Sequence, residues 1–270
     1  MAILTFISDF GTADPYVAMV KGAVYSQLPE AKIVDISHEV SPFNVTEAAF
    51  HLRQSYSIFT RGTVHLIGVN ADHSDDTPHR IAVYDGHYFI AADGGIFSLI
   101  FDKQPDAVYD INVPYDSDIL TFPVLHRLVK VACHLLRGGT PEVIARQAEA
   151  VTEATRLRPI IDGDSIRGHV VYVDRFDNLV TDISSSMFRE VGKSRDFTIH
   201  LRTERHKIEK ISGHYNEVPN GEKVALFNSA GVLEIGIGGG APESGGGAAQ
   251  LFGLKKGDLI LVVFHDRSNR

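Results

Sequence analysis

Two aspartates near the start of the chain, Asp9 and Asp14, have the residue type and the spacing to bind a ligand. They follow the apolar run 3–7, which has the length and bounds of a buried strand. A helical pattern comes next, with one apolar face formed by Val17, Val20, Val24 and Leu28. In open α/β sheets, ligands bind where strands end and helices begin. An aspartate that closes a buried strand needs a polar partner, whereas Asp14 is also explained as a helix cap before Pro15.

A second polar cluster lies in a turn between two strand-like runs. The turn carries Asp174, Phe176, Asp177, Asn178 and, on its far side, Asp182. Carboxylates and an amide this close together are a candidate binding site. Asp and Asn also favour turns that bind nothing, so both interpretations stay open. A calcium loop fits poorly, because the spacing and the closing Glu of an EF-hand are missing.

The third candidate is the turn 228–231, with the sequence Asn-Ser-Ala-Gly, which carries Ser229. A strand with the sequence Leu-Glu-Ile follows it at 233–235. The ordinary alternative is a structural turn, since these residue types are common in turns.

The composition places the chain among globular proteins and argues against several classes of function. It has 270 residues, of which 44% are hydrophobic and 22% charged, with a formal net charge of −8. No basic run or Arg-rich helix suggests nucleic-acid binding, and no segment approaches the roughly 20 apolar residues of a membrane span. The single cysteine, Cys133, fits a reducing cytoplasm, and Ser8 and Asp9 interrupt the apolar start, so we expect no signal peptide. We therefore expect a cytoplasmic protein.

Metal binding is not expected either. The chain has thirteen histidines, but no His-x-x-x-His pair or His/Cys cluster with metal-ligand spacing. We expect a small-molecule ligand and no metal, cofactor, nucleic-acid or membrane partner.

The elements that must position the candidate residues fall into two groups. Up to about residue 155, strand-like and helix-like patterns alternate, which favours an α/β domain with a mostly parallel sheet. Within it, Asp85-Gly86 between two apolar runs predicts a β-hairpin. Charge and proline at 156–159 indicate a boundary. Short strands separated by turn signals follow, which is typical of a small β-barrel. We therefore predict domains at residues 1–158 and 159–270.

A glycine-rich tract, 236–247, contains seven glycines but lacks the pattern of a phosphate-binding loop. It is interpreted either as a flexible loop between two strands or as a mobile flap over a ligand.

Four segments together resemble the S-adenosylmethionine (SAM) hydroxide adenosyltransferase family, which is related to the SAM-dependent fluorinases and chlorinases. The resemblance spans essentially the whole chain. The matching segments are Asp9-Phe10-Gly11 with Asp14-Pro15-Tyr16-Val17 and Lys21-Gly22, then 35–43 (DISHEVSPF), 174–178 (DRFDN, with Asp177 in the place of the family's Gly) and 228–235 (NSAGVLEI).

The resemblance implies an α/β first domain, a β-barrel second domain and a homotrimer. SAM would bind where the first domain of one subunit meets the second domain of its neighbour. In the first domain, Asp9 would hold the ribose diol, and Asp14 and Tyr16 would line the same pocket.

The resemblance also assigns roles in the second domain. Asp174 and Asn178 would hold the methionine end of the ligand, with Phe176 packed nearby. Ser229 would lie near the adenine or its edge.

The reaction implied is hydrolysis of SAM at the ribose C5′ carbon, giving adenosine and methionine. The family's hydrolases activate water with an Asp, an Arg and a His, and this chain departs from that set. Counted from the strand, Asn70 stands in the place of the Asp, and Pro123 stands in the place of the His. Aligning on Asp72 instead puts His79 in the place of the Arg.

Four nearby residues have the types to replace the missing set, since histidine titrates near neutral pH. They are Asp72, His79, Arg80 and His126. The alternative is that they are solvated loop and helix-start residues. Two functions therefore stay open: an enzyme that cleaves SAM with water activated by a substituted set, and a SAM- or adenosine-binding protein that has lost the chemistry. A different nucleoside or nucleophile, such as halide, is a third possibility.

Overall fold

The computed structural model describes residues 3–114, 121–155, 158–202 and 206–265, and the chain divides into two compact units, Met1–Thr155 and Arg156–Arg270. The boundary predicted from sequence lay at 158/159, in a segment whose residues Arg156 and Leu157 lie outside the described ranges. No helix among the described residues is both long and apolar enough to cross a bilayer.

The N-terminal unit alternates strands and helices. In chain order its elements are β1 (Ile3–Ser8), α1 (Tyr16–Gln27), β2 (Lys32–Ser37), α2 (Val45–Ser55), β3 (Val64–Gly68), β4 (His79–Tyr84), β5 (His87–Ala92), α3 (Ile96–Ile100), β6 (Ala107–Ile111), one turn of π-helix (Val124–Leu128), α4 (Val129–Leu136) and β7 (Ala145–Gln147).

These strands form one seven-stranded sheet in the order β2-β1-β3-β5-β4-β6-β7. The β2-β1-β3-β5 part is parallel, and β4, β6 and β7 add antiparallel pairs. The predicted α/β class is confirmed, but the sheet is mixed and only partly parallel. The predicted hairpin is one reason: Asp85 and Gly86 both have positive φ, 48° and 76°, and return the chain antiparallel from β4 to β5.

Helices cover both faces of this sheet because its central strands are apolar on both sides. In β1, Phe6 packs on one side with residues of α1 and α4, and Ile7 packs on the other with residues of α2 and α3. Successive strand residues point to opposite faces. This packing fixes the carboxyl ends of β1 and β3, where the polar loops begin.

The C-terminal unit is built from antiparallel strands. In chain order its elements are β8 (Ile160–Asp162), β9 (Ser165–Val173), β10 (Leu179–Ser184), α5 (Ser185–Gly192), β11 (Asp196–His200), β12 (Lys207–Ile208), β13 (Lys223–Phe227), β14 (Val232–Ile237), α6 (Ala248–Phe252) and β15 (Leu259–His265).

The strand order is β12-β11-β15-β9-β10-β14-β13, with β8 paired to β9, and every pair is antiparallel. The strands curl into a near-closed barrel around one apolar core. Residues such as Ile166, Leu179, Ile235 and Val262 fill the core, and Phe188 of α5 packs against it. The predicted small β-barrel is therefore confirmed.

Candidate functional site

A cavity of about 290 Å³ opens in the N-terminal unit at the carboxyl ends of β1 and β3. Four chain segments that are distant in sequence line it. They are Asp9, Phe10 and Tyr16 after β1; Pro42 and Phe43 after β2; Asn70, Ala71 and Asp72 after β3; and Thr121, Phe122, Pro123 and Val124 before and at the π-helix. This edge of the sheet is where α/β proteins bind ligands.

Asp9 is held in place by backbone groups from two neighbouring loops. Its Oδ2 accepts hydrogen bonds from the N–H of Phe43 (2.8 Å) and from the N–H of Asn70 (3.3 Å). Among the described residues, Oδ1 has no protein partner. The carboxylate is therefore oriented by one oxygen and can accept ligand hydroxyl hydrogens with the other.

Both donor residues have unusual backbone conformations. Phe43 has φ of 63° and Asn70 has φ of 47°. Left-handed backbone is tolerated by Asn but is rare for a bulky residue such as Phe. The Phe43 side chain is also 71% exposed. Strained, exposed residues of this kind cluster at ligand sites, so Phe43 strengthens the assignment of the cavity as the functional site.

The turn that carries Asp9 is anchored from behind by His38. The imidazole Nδ1 of His38 is hydrogen-bonded to Ser8 Oγ (2.7 Å), and its backbone oxygen accepts from the N–H of Gly11 (2.8 Å). The imidazole Nε2 lies 3.0 Å from a carboxylate oxygen of Asp35, and Lys21 contacts the other oxygen at 2.6 Å. Burial raises the pKa of Asp35, but its contacts with Lys21 and His38 outweigh burial and hold that pKa below its ordinary value.

Three aromatic rings form one wall of the cavity. The ring centroids of Phe10 and Phe122 are 5.4 Å apart, those of Tyr16 and Phe122 are 5.5 Å apart, and those of Phe10 and Tyr16 are 6.1 Å apart. Each pair meets edge to face, the arrangement that aromatic quadrupoles favour. Tyr16 starts α1, and Asp14 stands two residues earlier, exposed and outside the cavity lining. Pro15 occupies the cap position without a side-chain hydrogen bond, so Asp14 does not cap this helix.

Of the four residues considered for water activation, Asp72 lines the cavity. His79 is buried at the start of β4. Its Nε2 lies 2.9 Å from the carbonyl oxygen of Ala71, and its Nδ1 lies 3.2 Å from an Nη of Arg127. Since Arg127 can only donate, Nδ1 accepts and Nε2 carries the proton.

The environment of His79 keeps it neutral. The pKa of His79 is lowered to about 4: burial is the largest cause, the charges of Arg127 and His73 also lower it, and the hydrogen bond to the Ala71 carbonyl partly opposes them. Both ring nitrogens are occupied by protein groups, so His79 holds one lining residue in place and has no nitrogen directed at a ligand.

Arg80 and His126 also lie outside the cavity lining. Arg80 is hydrogen-bonded to Asp110 (2.7 Å), to the buried Asp93 (2.9 Å) and to Thr152 (3.3 Å). Burial lowers the pKa of Arg80, but the two carboxylates outweigh it and raise that pKa.

His126 lies on the π-helix, with its ring centroid 6.5 Å from that of Phe122. The structure thus brings Asp72 to the cavity and leaves His79, Arg80 and His126 outside its lining.

The second polar cluster is a tight turn in the C-terminal unit. Asp174 accepts through Oδ1 from the N–H groups of Phe176 (2.9 Å) and Asn178 (2.8 Å), and through Oδ2 from the side-chain amide of Asn178 (3.0 Å). The Phe176 side chain is 62% exposed. Asp177 has φ of 65°, and its Oδ2 accepts from the N–H of Gln250 in α6 (2.9 Å).

The third turn joins β13 and β14 and leaves Ser229 exposed. Asn228 holds its shape by accepting from the N–H groups of Ala230 (3.0 Å) and Val232 (3.3 Å). The amide of Asn228 also donates to the buried Glu234 (2.9 Å). A larger hollow of about 680 Å³ elsewhere in this unit, beside His200, contains none of the residues selected from sequence.

Phe10, Phe43 and Phe122 all line the cavity. None of the three was predicted from the sequence to bind a ligand. One signal was available for Phe43. An aromatic residue in a loop with the sequence Ser-Pro-Phe-Asn has no apolar periodicity that would bury it, so its exposure could have been expected.

Comparison with known proteins identifies the family of the chain. Models of the SAM hydroxide adenosyltransferase N-terminal and C-terminal domains match residues 4–145 and 168–261. An (R)-S-adenosyl-L-methionine hydrolase of Thermus thermophilus is 28% identical over 273 residues, covering 96% of this chain and 98% of the relative. A fluorinase of Nocardia brasiliensis is 40% identical over 221 residues, covering 70% of this chain and 74% of the relative.

The fold is found again in a solved structure. The crystal structure of an uncharacterized conserved protein from Thermotoga maritima superimposes with a TM-score of 0.87 at 25% identity, covering 97% of this chain and 100% of that one. With both domain models matched along most of its length, the chain belongs to the SAM hydroxide adenosyltransferase family.

Proposed function

We propose that this protein hydrolyses SAM at the ribose C5′ carbon and releases adenosine and methionine. One observation carries the proposal: the carboxylate of Asp9, oriented by two backbone N–H groups, lies in the cavity with one oxygen left to accept ligand hydrogen bonds. A ribose diol offers two adjacent O–H donors, which suit a fixed carboxylate. Membership of the family and relatives named as hydrolases support the choice of SAM.

The chemical step depends more on the position of the attacking water molecule than on strong acid–base activation of it. The water oxygen attacks C5′ from the side opposite the sulfur, the C5′–S bond breaks, and its electron pair stays on sulfur, which becomes the neutral thioether of methionine. Holding the reacting atoms in line and excluding bulk water would supply most of the barrier reduction.

The proton lost by the water needs an acceptor, and Asp72 is the candidate in this cavity. It is the residue of the four considered that lines the cavity, and a carboxylate can act as a general base within hydrogen-bonding reach of the water. In this proposal His79 positions the loop that carries Ala71 and Asp72 and does not itself take the proton.

The other end of the ligand would be bound by a second copy of the chain. In the proposed homotrimer, the barrel of a neighbouring subunit closes the cavity. Its Asp174 and Asn178 would hold the methionine end, Phe176 would pack beside it, and Ser229 would lie near the adenine. Phe43 is 71% exposed and Phe176 is 62% exposed, so both aromatic rings are accessible to a ligand or a neighbouring subunit.

The direct test is incubation with SAM, with and without added chloride or fluoride, followed by chromatography. We expect adenosine and methionine in equal amounts and no dependence on halide. Formation of a 5′-haloadenosine would show that halide, and not water, is the nucleophile. Absence of any nucleoside product at high protein concentration would refute the enzyme assignment.

A second function is favoured by a specific observation. Both ring nitrogens of His79 and the Nε and one Nη of Arg80 contact protein groups. Pro123 lines the cavity, at the place where the resemblance puts the histidine of the hydrolases. A SAM- or adenosine-binding protein without turnover fits this arrangement. It predicts saturable binding in calorimetry with no product formed over hours.

A further inference from the structure

The three-ring wall of Phe10, Tyr16 and Phe122 faces a cavity whose polar groups are acidic or neutral. Asp9 and Asp72 contribute carboxylates to the lining, and no Lys, Arg or His is found among its described residues. Most nucleoside ligands carry no positive charge at the sugar. A ribose contact with Asp9 alone therefore does not explain why the lining combines two carboxylates with no cationic side chain among its described residues.

The geometry of the rings separates two kinds of ligand group. A nucleobase stacks on one flat ring face. Here every pair of rings meets edge to face, with interplanar angles of 61°, 76° and 80°. The wall is thus a corner and not a flat surface. Corners of aromatic rings suit compact cations, which are attracted to the electron-rich faces.

We propose that Phe10, Tyr16 and Phe122 form a cation subsite next to the sugar, so that the cavity prefers nucleosides that carry a positive charge at the 5′ position over neutral ones. The inference rests on the proposed function, since it takes Asp9 as the ribose contact. Phe10 follows Asp9 directly in the chain, which places the subsite beside the sugar. The sulfonium of SAM is such a cation, and its loss on cleavage would weaken the hold on the product.

One feature opposes a cation. The helix α1 begins at Tyr16, and a helix N-terminus carries a partial positive charge. The carboxylate of Asp14 stands two residues before this end, and Asp9 and Asp72 lie in the lining. Three full negative charges outweigh a partial positive one, so the net potential still favours a cation.

The test uses two ligands that differ only in the group at C5′, which is neutral in one and positively charged in the other. Adenosine carries a hydroxyl at C5′, and 5′-amino-5′-deoxyadenosine carries an ammonium there at neutral pH; neither has a sulfonium to be cleaved. We expect calorimetry to give an affinity for the amine at least about tenfold higher than for adenosine. The preference should fall to about threefold or less in Tyr16→Leu and persist in Tyr16→Phe, which keeps the ring.

Tyr25→Leu is the matched control. Tyr25 lies on the same helix, is 43% exposed against 45% for Tyr16, and is outside the cavity lining, so its removal should leave the preference unchanged. Tyr16→Leu is expected to fold, because the side chain is largely exposed, and a thermal unfolding curve checks this.

The outcomes separate this inference from the proposed function. Equal affinities for the two ligands in the wild type would overturn the cation subsite and leave the nucleoside site standing. A preference that survives in both Tyr16→Leu and Phe122→Leu would assign the selectivity to the carboxylates and overturn the role of the rings. Failure of both ligands to bind would overturn the nucleoside site and the subsite together.

Discussion

The Nε2 atom of His79 lies 2.9 Å from the carbonyl oxygen of Ala71, which lines the cavity. On its other side the imidazole meets Arg127 of the π-helix at 3.2 Å. One neutral ring thus connects the loop after β3 with the helix that starts at the cavity. His79 has the residue type of an acid–base catalyst but the contacts of a structural spacer.

The first prediction concerns pH and stability. The pKa of His79 in the folded protein is about 4, below its ordinary 6.5, so the unfolded chain binds more protons between these values. The stabilising contribution is complete above about pH 6.5 and is lost as the pH falls toward 4. For His79 alone we expect a loss of about 2 kcal/mol between roughly pH 7.5 and pH 5, measured by urea unfolding.

The comparison variant for this prediction is His79→Gln, which keeps a donor and an acceptor but does not titrate. It should unfold with a visibly weaker pH dependence. His65 accounts for part of the pH dependence of stability that remains in this variant. Its pKa is lowered to about 3, mainly by burial and also by the charge of His87. An unchanged pH dependence in His79→Gln would contradict the assignment of His79 as a buried neutral group.

The second prediction separates positioning from catalysis at His79. His79→Leu removes the hydrogen bond to Ala71, so the loop that carries Asp72 loses its support. If His79 only positions this loop, KM should rise several-fold, and the pH profile of kcat should keep its shape. Disappearance of a titration from the kcat profile in this variant would instead restore His79 as an acid–base catalyst.

The third prediction concerns Asp72. If its carboxylate accepts the proton of the attacking water, Asp72→Asn should lower kcat by about a hundredfold or more and leave the affinity for adenosine within about twofold. Asp75→Asn changes an exposed carboxylate of the same loop that does not line the cavity, and it should turn over normally. Steady-state rates of adenosine release test both; equal rates for Asp72→Asn and wild type would remove Asp72 from the mechanism.

The fourth prediction tests whether sites are shared between subunits. Asp9→Ala damages the N-terminal part of every site, and Asp174→Ala damages the C-terminal part, so each variant alone should be inactive. After joint refolding, sites that combine an intact first domain with a neighbour's intact second domain should restore about a quarter of the wild-type activity. Sedimentation should give the mass of a trimer. Mixed trimers without recovered activity would argue for sites built within one chain.

The fifth prediction concerns Asp177, which stands where the family carries glycine. Its positive φ is costly for a side chain, but its carboxylate accepts from the N–H of Gln250 and its backbone oxygen accepts from Ala249 (both 2.9 Å) at the start of α6. Asp177→Ala keeps the strain and loses the cap, and should cost about 1 to 2 kcal/mol. Asp177→Gly relieves the strain and should cost less. Thermal unfolding compares them, and the reverse order would contradict the capping role.

Local signals in the sequence were enough to predict the strand–turn–helix around Asp9 and the hairpin at Asp85-Gly86. The strand order was not predictable in the same way. Alternating strands and helices indicate a parallel sheet, but β6 pairs antiparallel with β4, a contact that no local pattern encodes.

The same limit applies to the site: local features were predictable from the sequence, and contacts between distant residues were not. Asp9 could be selected because it closes a buried strand, which is a local property. The role of His79 could not be deduced, because it depends on Arg127, 48 residues away in the chain. The helical pattern that begins near Leu125 was apparent, but its first turn is a π-helix, and periodicity cannot distinguish this turn from an α-helix.

The left-handed backbone at Phe43 and Asn70 has a consequence for the thermodynamics of ligand capture. Both residues adopt this shape with their N–H groups on the Asp9 carboxylate, so the conformational cost of arranging the sugar-binding loops is met during folding. Ligand binding therefore requires little further ordering of these loops. We expect association to be fast and to carry only a small entropy penalty.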